Sequence, residues 1–137
     1  MLTCEQAQAC YPAAITFTFG DSASLNALIL DLVRTGRKTV TCDAWDAYAA
    51  RAEPLPEPGR VDIALDWGGM PQLALRTVAI ERIKFCDMDA GRIPPQGEFR
   101  DLADWKAGYE AYLRRAGLFQ DDVLMLVETF EVVEDFS

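Results

Sequence analysis

The sequence predicts an α+β domain, a small mixed β-barrel of five or six strands with two or three helices packed on its outside. The chain has 137 residues and half of them are hydrophobic, which suits one domain with its own core. Its strand-like segments mostly do not alternate with helices, which argues against a doubly wound parallel sheet. We therefore expect a single domain over residues 1–137, with a loose N-terminal segment over residues 1–13.

The first part of the chain predicts two strands and two helices. Residues 15–19 alternate between apolar and polar side chains, as in a half-buried strand. Apolar residues recur at helical spacing over 22–35, and Gly36 follows where a left-handed C-terminal cap belongs. Residues 38–42 are rich in β-branched side chains and predict a strand, and a second helical stretch covers roughly 43–52.

The second part predicts a hairpin, a helix and a last strand. A proline-rich loop over 53–59 precedes two strands, 61–65 and 72–80, that are joined by a turn. Residues 101–117 predict a helix whose aromatic face we interpret as core. The long apolar stretch over 123–133 predicts the final strand.

The charge balance bears on the class of ligand. Thirteen basic residues against twenty-two acidic ones give a net charge of −9. Proteins that bind long nucleic acids by neutralising phosphates usually carry the opposite sign. RNA binding is therefore disfavoured, whereas a small and nearly neutral ligand meets no such obstacle.

The residue types predict neither a metal site nor a cofactor. The four cysteines are irregularly spaced and form no CxxC pair, and the chain contains no histidine. A histidine-dependent catalytic triad is therefore excluded within this chain. No apolar run approaches the roughly 20 residues that cross a bilayer, and the N-terminus does not resemble a signal peptide. We expect a cytoplasmic protein with no membrane partner.

One short motif stands out at the predicted end of the first helix. Residues 36–41 read Gly-Arg-Lys-Thr-Val-Thr. This segment resembles the GxKxxT-like motif of the ASCH domain family, and its neighbours agree: Phe-Gly-Asp-Ser at 19–22 precedes the helix, and Trp45 follows the motif. The resemblance covers about residues 15–133 and implies a PUA-like fold.

The resemblance also implies a function and three catalytic residues. Members of the family have been linked to RNA binding, RNA cleavage and hydrolysis of N4-acetylcytidine. In the amidohydrolase members the catalytic set is the lysine and threonine of the motif together with a distal glutamate. The matching positions here are Lys38, Thr41 and Glu98, the last in an irregular stretch that contains glycine and proline.

Two chemical arrangements of these residues remain open. Lys38 could accept the proton of the Thr41 hydroxyl, with Glu98 orienting the lysine and passing a proton to the leaving amine. Alternatively, Glu98 could activate water while a charged Lys38 stabilises the oxyanion. Residues three apart in a straight strand point to opposite faces, so either arrangement predicts an irregular backbone between Lys38 and Thr41.

Four further residues are predicted to bind the substrate. Arg37 and Thr39 flank Lys38 in the motif, and Trp45 and Tyr48 could stack on a pyrimidine.

The sequence thus favours an amidohydrolase that acts on N4-acetylcytidine or a related small nucleoside-like substrate. The alternatives are an RNA-binding module, with or without ribonuclease activity, that uses the basic cluster Arg34, Arg37 and Lys38, and a non-catalytic ligand-binding domain.

Overall fold

The computed structural model describes residues 2–137, which form a five-stranded mixed sheet flanked by helices. The strands are β1 (Thr16–Thr18), β2 (Val40–Ala44), β3 (Val61–Leu65), β4 (Pro71–Lys84) and β5 (Leu124–Asp135). The α-helices are α1 (Cys4–Cys10), α2 (Ala23–Arg34), α3 (Trp45–Ala50) and α4 (Leu102–Arg115). Three short 3₁₀ turns connect β4 to α4.

The strand order in the sheet is β1-β3-β4-β5-β2. The β1–β3 pair is parallel, and the other three pairs are antiparallel. The mixed α+β class is therefore confirmed. Within residues 2–137 no strand pairing joins β1 to β2, so these two strands are the edges of the sheet.

The locally encoded elements form where the sequence predicts them. Ser22 caps α2 by accepting a hydrogen bond from the Leu25 amide at 3.2 Å. Gly36 follows this helix with a φ of 79°, the left-handed conformation that glycine adopts without strain. Asp101 caps α4 in the same way, through the Asp104 amide at 2.8 Å.

The N-terminal segment differs from the prediction of a loose chain over residues 1–13. It contains α1, which raises the number of α-helices to four among the described residues. The Thr3 hydroxyl accepts from the Gln6 amide, and the Gln6 side chain accepts from the Thr3 amide. This reciprocal capping box stabilises the first turn, and the fully buried Ala7 anchors the helix to the core.

Both faces of the sheet are partly covered. One cluster joins the buried Met125 and Val127 of β5 to Trp105 and Leu113 of α4. A second cluster packs α2 against Phe19, β3, β4 and β5. Because α2 and α4 are held in this way, the motif that follows α2 and the loop that precedes α4 meet beside the edge strand β2.

Candidate functional site

A cleft of about 810 Å³ lies over the sheet and takes side chains from all five strands. This volume falls within the range of about 300–1,000 Å³ that is usual for small-molecule sites. Phenylalanine and leucine side chains form its apolar walls. The carboxyl groups among its polar lining include Asp43, Asp62, Glu98 and Glu128.

Lys38 is buried directly behind the cleft wall, with 1% of the residue exposed. Its Nζ donates to the Glu98 Oε2 at 2.7 Å, to the Val40 carbonyl at 2.8 Å and to the Gln96 carbonyl at 3.1 Å. An ammonium group has three donors and no acceptor, so the charged form satisfies all three oxygens at once. A neutral amine would leave one of them without a donor. The geometry therefore favours a charged Lys38.

Glu98 links this buried lysine to the cleft. The exposed fraction of its side chain is 12%, and it belongs to the cleft lining. Its loop is fixed to the motif because the Thr39 amide donates to the Pro95 carbonyl at 2.9 Å. The fully buried Gln96 holds the same loop from the other side by accepting from the Trp105 indole at 2.8 Å. The carboxylate is thus presented on a rigid segment.

Gly97 lets this loop approach the motif closely. Its φ is 75°, and a Cβ at this position would lie 2.8 Å from the Arg37 carbonyl oxygen and 3.2 Å from the Lys38 Cβ. Any larger residue would push the loop away from Lys38.

The substitution Gly97→Ala tests this packing against Gly36→Ala, a control with a similar φ of 79° and open space around it. We expect Gly36→Ala to lower the free energy of unfolding by about 1–2 kcal/mol through backbone strain alone. Gly97→Ala should lower it by about 1–3 kcal/mol more, because it adds a steric clash. Urea unfolding measures both values. Equal losses would contradict the close approach.

Thr41 lies in the cleft beside a carboxyl group of the neighbouring strand. Lys38 precedes β2, which begins at Val40, so Thr41 lies in the strand and Lys38 lies before it. Thr41 pairs with Glu128 of β5, and directly opposed residues of an antiparallel pair point to the same face. Among residues 2–137, the Thr41 hydroxyl has no hydrogen bond to Lys38; Lys38 instead bonds Glu98 and two carbonyls.

A second polar group in the cleft centres on Asp43. Its carboxylate accepts from Arg51 Nη1 at 2.8 Å and from the Tyr112 hydroxyl at 3.1 Å. The Arg51 guanidinium also lies 5.1 Å from the centre of the Tyr48 ring. Burial raises the pKa of Tyr112 to about 12 and that of Tyr48 further, so both phenols remain protonated at neutral pH.

The arginine side chains that line the cleft all have carboxylate partners. Besides the pair of Arg51 with Asp43, these are Arg60 with Asp62 and Arg115 with Asp21. Each of these three arginines is therefore already paired with a carboxylate.

The structure brings together four of the seven sequence-predicted site residues. Lys38 and Glu98 are paired, and Thr41 and Tyr48 line the same cleft as Glu98. The other three, Arg37, Thr39 and Trp45, do not belong to the cleft lining. Arg37 and Thr39 are exposed, and the Trp45 ring instead lies beside the Arg82 guanidinium, 5.3 Å away.

The acidic residues of the strands that line the cleft, above all Glu128, are not among the site residues predicted from the sequence. A signal was present, since Glu128 lies on the same strand face as Leu126 and Phe130, which are both buried. A carboxyl group between two core positions indicates a polar cavity, because burying a charge without a partner is unfavourable.

No helix among residues 2–137 is long and apolar enough to cross a membrane. In the same part of the chain, no three cysteine, aspartate or glutamate side chains gather in a metal-binding arrangement.

Comparison with known proteins identifies similar sequences and folds. A family model described as the ASCH domain matches residues 15–134. The crystal structure of protein EF3133 from Enterococcus faecalis V583 is 29% identical, with a TM-score of 0.77, covering 90% of this chain and 78% of that one. The crystal structure of an ASCH domain from Lactobacillus crispatus JV V101 is 20% identical, with a TM-score of 0.76 and coverages of 96% and 86%. No curated protein matches the chain.

Proposed function

The chain belongs to the ASCH domain family, within the PUA-like superfamily, and from this premise we propose that it is an amidohydrolase that removes the acyl group from N4-acetylcytidine or a related N4-acylated cytosine nucleoside. The observation that carries the proposal is the ion pair between the buried Lys38 and Glu98, 2.7 Å long, at the wall of the cleft. Amide hydrolysis needs a group that moves a proton and a group that stabilises the developing oxyanion.

Glu98 is the proton carrier in this mechanism. It takes a proton from a water molecule, whose oxygen forms a bond to the acyl carbon. The bond between this carbon and N4 then breaks, and Glu98 returns the proton to N4, which gives cytidine and acetate from N4-acetylcytidine. Glu98 suits this role because it lines the cleft, whereas all three donors of Lys38 are already used.

Lys38 acts in this mechanism as a positioning residue. Two main-chain carbonyls fix its ammonium group, and that group in turn fixes the Glu98 carboxylate. The arrangement favours the alternative in which Glu98 activates water over the one in which Lys38 is the base. Thr41 is assigned to donate a hydrogen bond from its hydroxyl group to the acyl oxygen, which stabilises the negative charge that develops there.

The RNA-binding alternative has less support. In its basic cluster, Lys38 is buried and Arg34 is paired with Asp135 at 3.1 Å, so Arg37 is the exposed cation that remains. The arginines of the cleft are paired as well.

The direct test is to incubate the purified protein with N4-acetylcytidine and to follow the release of cytidine at increasing salt. We expect turnover that hardly changes with salt, because the substrate is neutral. Binding to RNA through phosphates would weaken steeply as salt rises. Absence of cytidine release, together with binding or cleavage of a labelled RNA, would make the amidohydrolase proposal wrong.

A further inference from the structure

Glu128 is a carboxyl group of the cleft that the proposed mechanism does not use. It lies opposite Thr41 on the neighbouring strand, at a separation of about 4.8 Å between strands. Thr41 is also close to the loop that carries Glu98, since the Thr39 amide binds that loop. A ligand whose acyl group reaches Thr41 and Glu98 therefore has Glu128 within the same cleft.

The hydrogen bonds of Glu128 leave one side of its carboxyl group open. The Thr77 hydroxyl donates to Oε2 at 2.8 Å. Among residues 2–137, Oε1 has no hydrogen-bond partner, although the side chain lines the cleft. This oxygen is available to a ligand.

The surroundings of Glu128 shift its pKa toward a more stable neutral form. Burial raises the pKa of Glu128 above the ordinary value, and the negative charge of Asp62 raises it further. The hydrogen bond from Thr77 and the positive charge of Arg60 act in the opposite direction. The polar groups that face it from neighbouring elements are Thr41 of β2, Asp62 of β3 with its partner Arg60, Thr77 of β4 and Tyr48 of α3. Arg60 does little to stabilise an ionised Glu128, because its guanidinium forms three hydrogen bonds to Asp62.

A neutral carboxyl group is complementary to one edge of an acylated cytosine ring. N3 of the ring is an acceptor, and the amide hydrogen on N4 is a donor beside it. A carboxylic acid offers a donor and an acceptor at the same spacing, whereas a carboxylate offers acceptors only. We propose that Glu128 recognises this edge, with Oε1–H donating to N3 and Oε2 accepting from N4–H. This inference rests on the proposed function and specifies how its substrate class is selected.

The same contact assists the reaction. When the bond from the acyl carbon to N4 breaks, negative charge spreads from N4 onto N3. The hydrogen bond from Oε1 stabilises this charge where it develops, while Glu98 supplies the proton to N4.

The test compares N4-acetylcytidine with its 3-deaza analogue, in which N3 is replaced by C–H. The ratio of kcat/KM for the two substrates is measured for the wild type, Glu128→Gln, Glu128→Ala and the control Glu131→Gln, whose side chain is exposed and pairs with Arg76. The 3-deaza analogue differs from N4-acetylcytidine in intrinsic reactivity, and this difference is the same for every variant. Only a difference in the ratio between variants therefore reports on Glu128.

We expect Glu128→Ala to lower the ratio by roughly 10- to 100-fold, because the hydrogen bond to N3 is lost. Glu128→Gln should keep the ratio, since an amide also has a donor and an acceptor. The wild-type ratio should fall as pH rises and Glu128 ionises, and that of Glu128→Gln should not. The control should match the wild type at every pH.

The inference is overturned if Glu128→Ala keeps the wild-type ratio, or if Glu128→Gln loses it as alanine does. Thermal unfolding identifies any variant that fails to fold. If Glu128→Ala does not fold, the ratio of the nearly isosteric Glu128→Gln decides whether the inference holds. If the wild type hydrolyses neither compound, the proposed function is wrong, and calorimetric binding of the same two compounds decides the role of Glu128. If neither compound binds, the proposed function and the proposed role of Glu128 are both wrong.

Discussion

The substitution Glu98→Gln is expected to lower kcat/KM for N4-acetylcytidine by about 10²- to 10⁴-fold, the usual contribution of general acid–base catalysis. Glutamine keeps the shape of the side chain, and its amide oxygen can still accept from Lys38. It cannot take a proton from water at neutral pH. Cytidine release measures the effect.

Glu131→Gln is the matched control, because this residue lies outside the cleft lining in a surface ion pair with Arg76. Its activity should equal that of the wild type. Wild-type activity in Glu98→Gln would exclude Glu98 as the proton carrier, whereas loss of activity together with loss of folding would point to a structural role. Thermal unfolding of both variants separates these outcomes.

Replacing Lys38 with methionine is expected to lower the free energy of unfolding by about 3–5 kcal/mol, the usual loss when one partner of a buried ion pair is removed. Methionine has a similar length but no donor. It leaves the Glu98 carboxylate and the carbonyls of Val40 and Gln96 without the ammonium group. Urea unfolding measures the change.

Two further variants separate the charge from the volume. The exposed Lys84 provides the control, and Lys84→Met should change the stability by no more than about 0.5 kcal/mol. The double variant Lys38→Met with Glu98→Gln should be more stable than Lys38→Met alone, because no uncompensated carboxylate remains. If the double variant is no more stable, the loss comes from packing and not from the ion pair.

The sequence predicted the parts of this protein that depend on local signals. The helix after Ser22, its end at Gly36 and the strand β3 follow from capping, glycine conformation and strand periodicity. The contact between Lys38 and Glu98 has no such signal, since the two residues are 60 positions apart. The resemblance to the family supplied it.

Features that depend on tertiary packing escaped prediction. Trp45 and Tyr48 are both aromatic and three residues apart on α3, yet Tyr48 lines the cleft and Trp45 lies beside Arg82. The packing of α3 on the sheet decides which ring lines the cleft, and periodicity does not encode it. The fixing of the Glu98 loop by Gln96 and Trp105 is of the same kind.

The position of β5 in the sheet determines when the cleft can form during synthesis of the protein. β2 has β5 as its strand neighbour, and β5 follows it in the chain only after β3, β4 and α4. Thr41 therefore reaches its position beside Glu128 only after the ribosome has made β5. A nascent chain that stops before Leu124 leaves β2 without its partner and the edge of β4 uncovered, which favours aggregation over partial function.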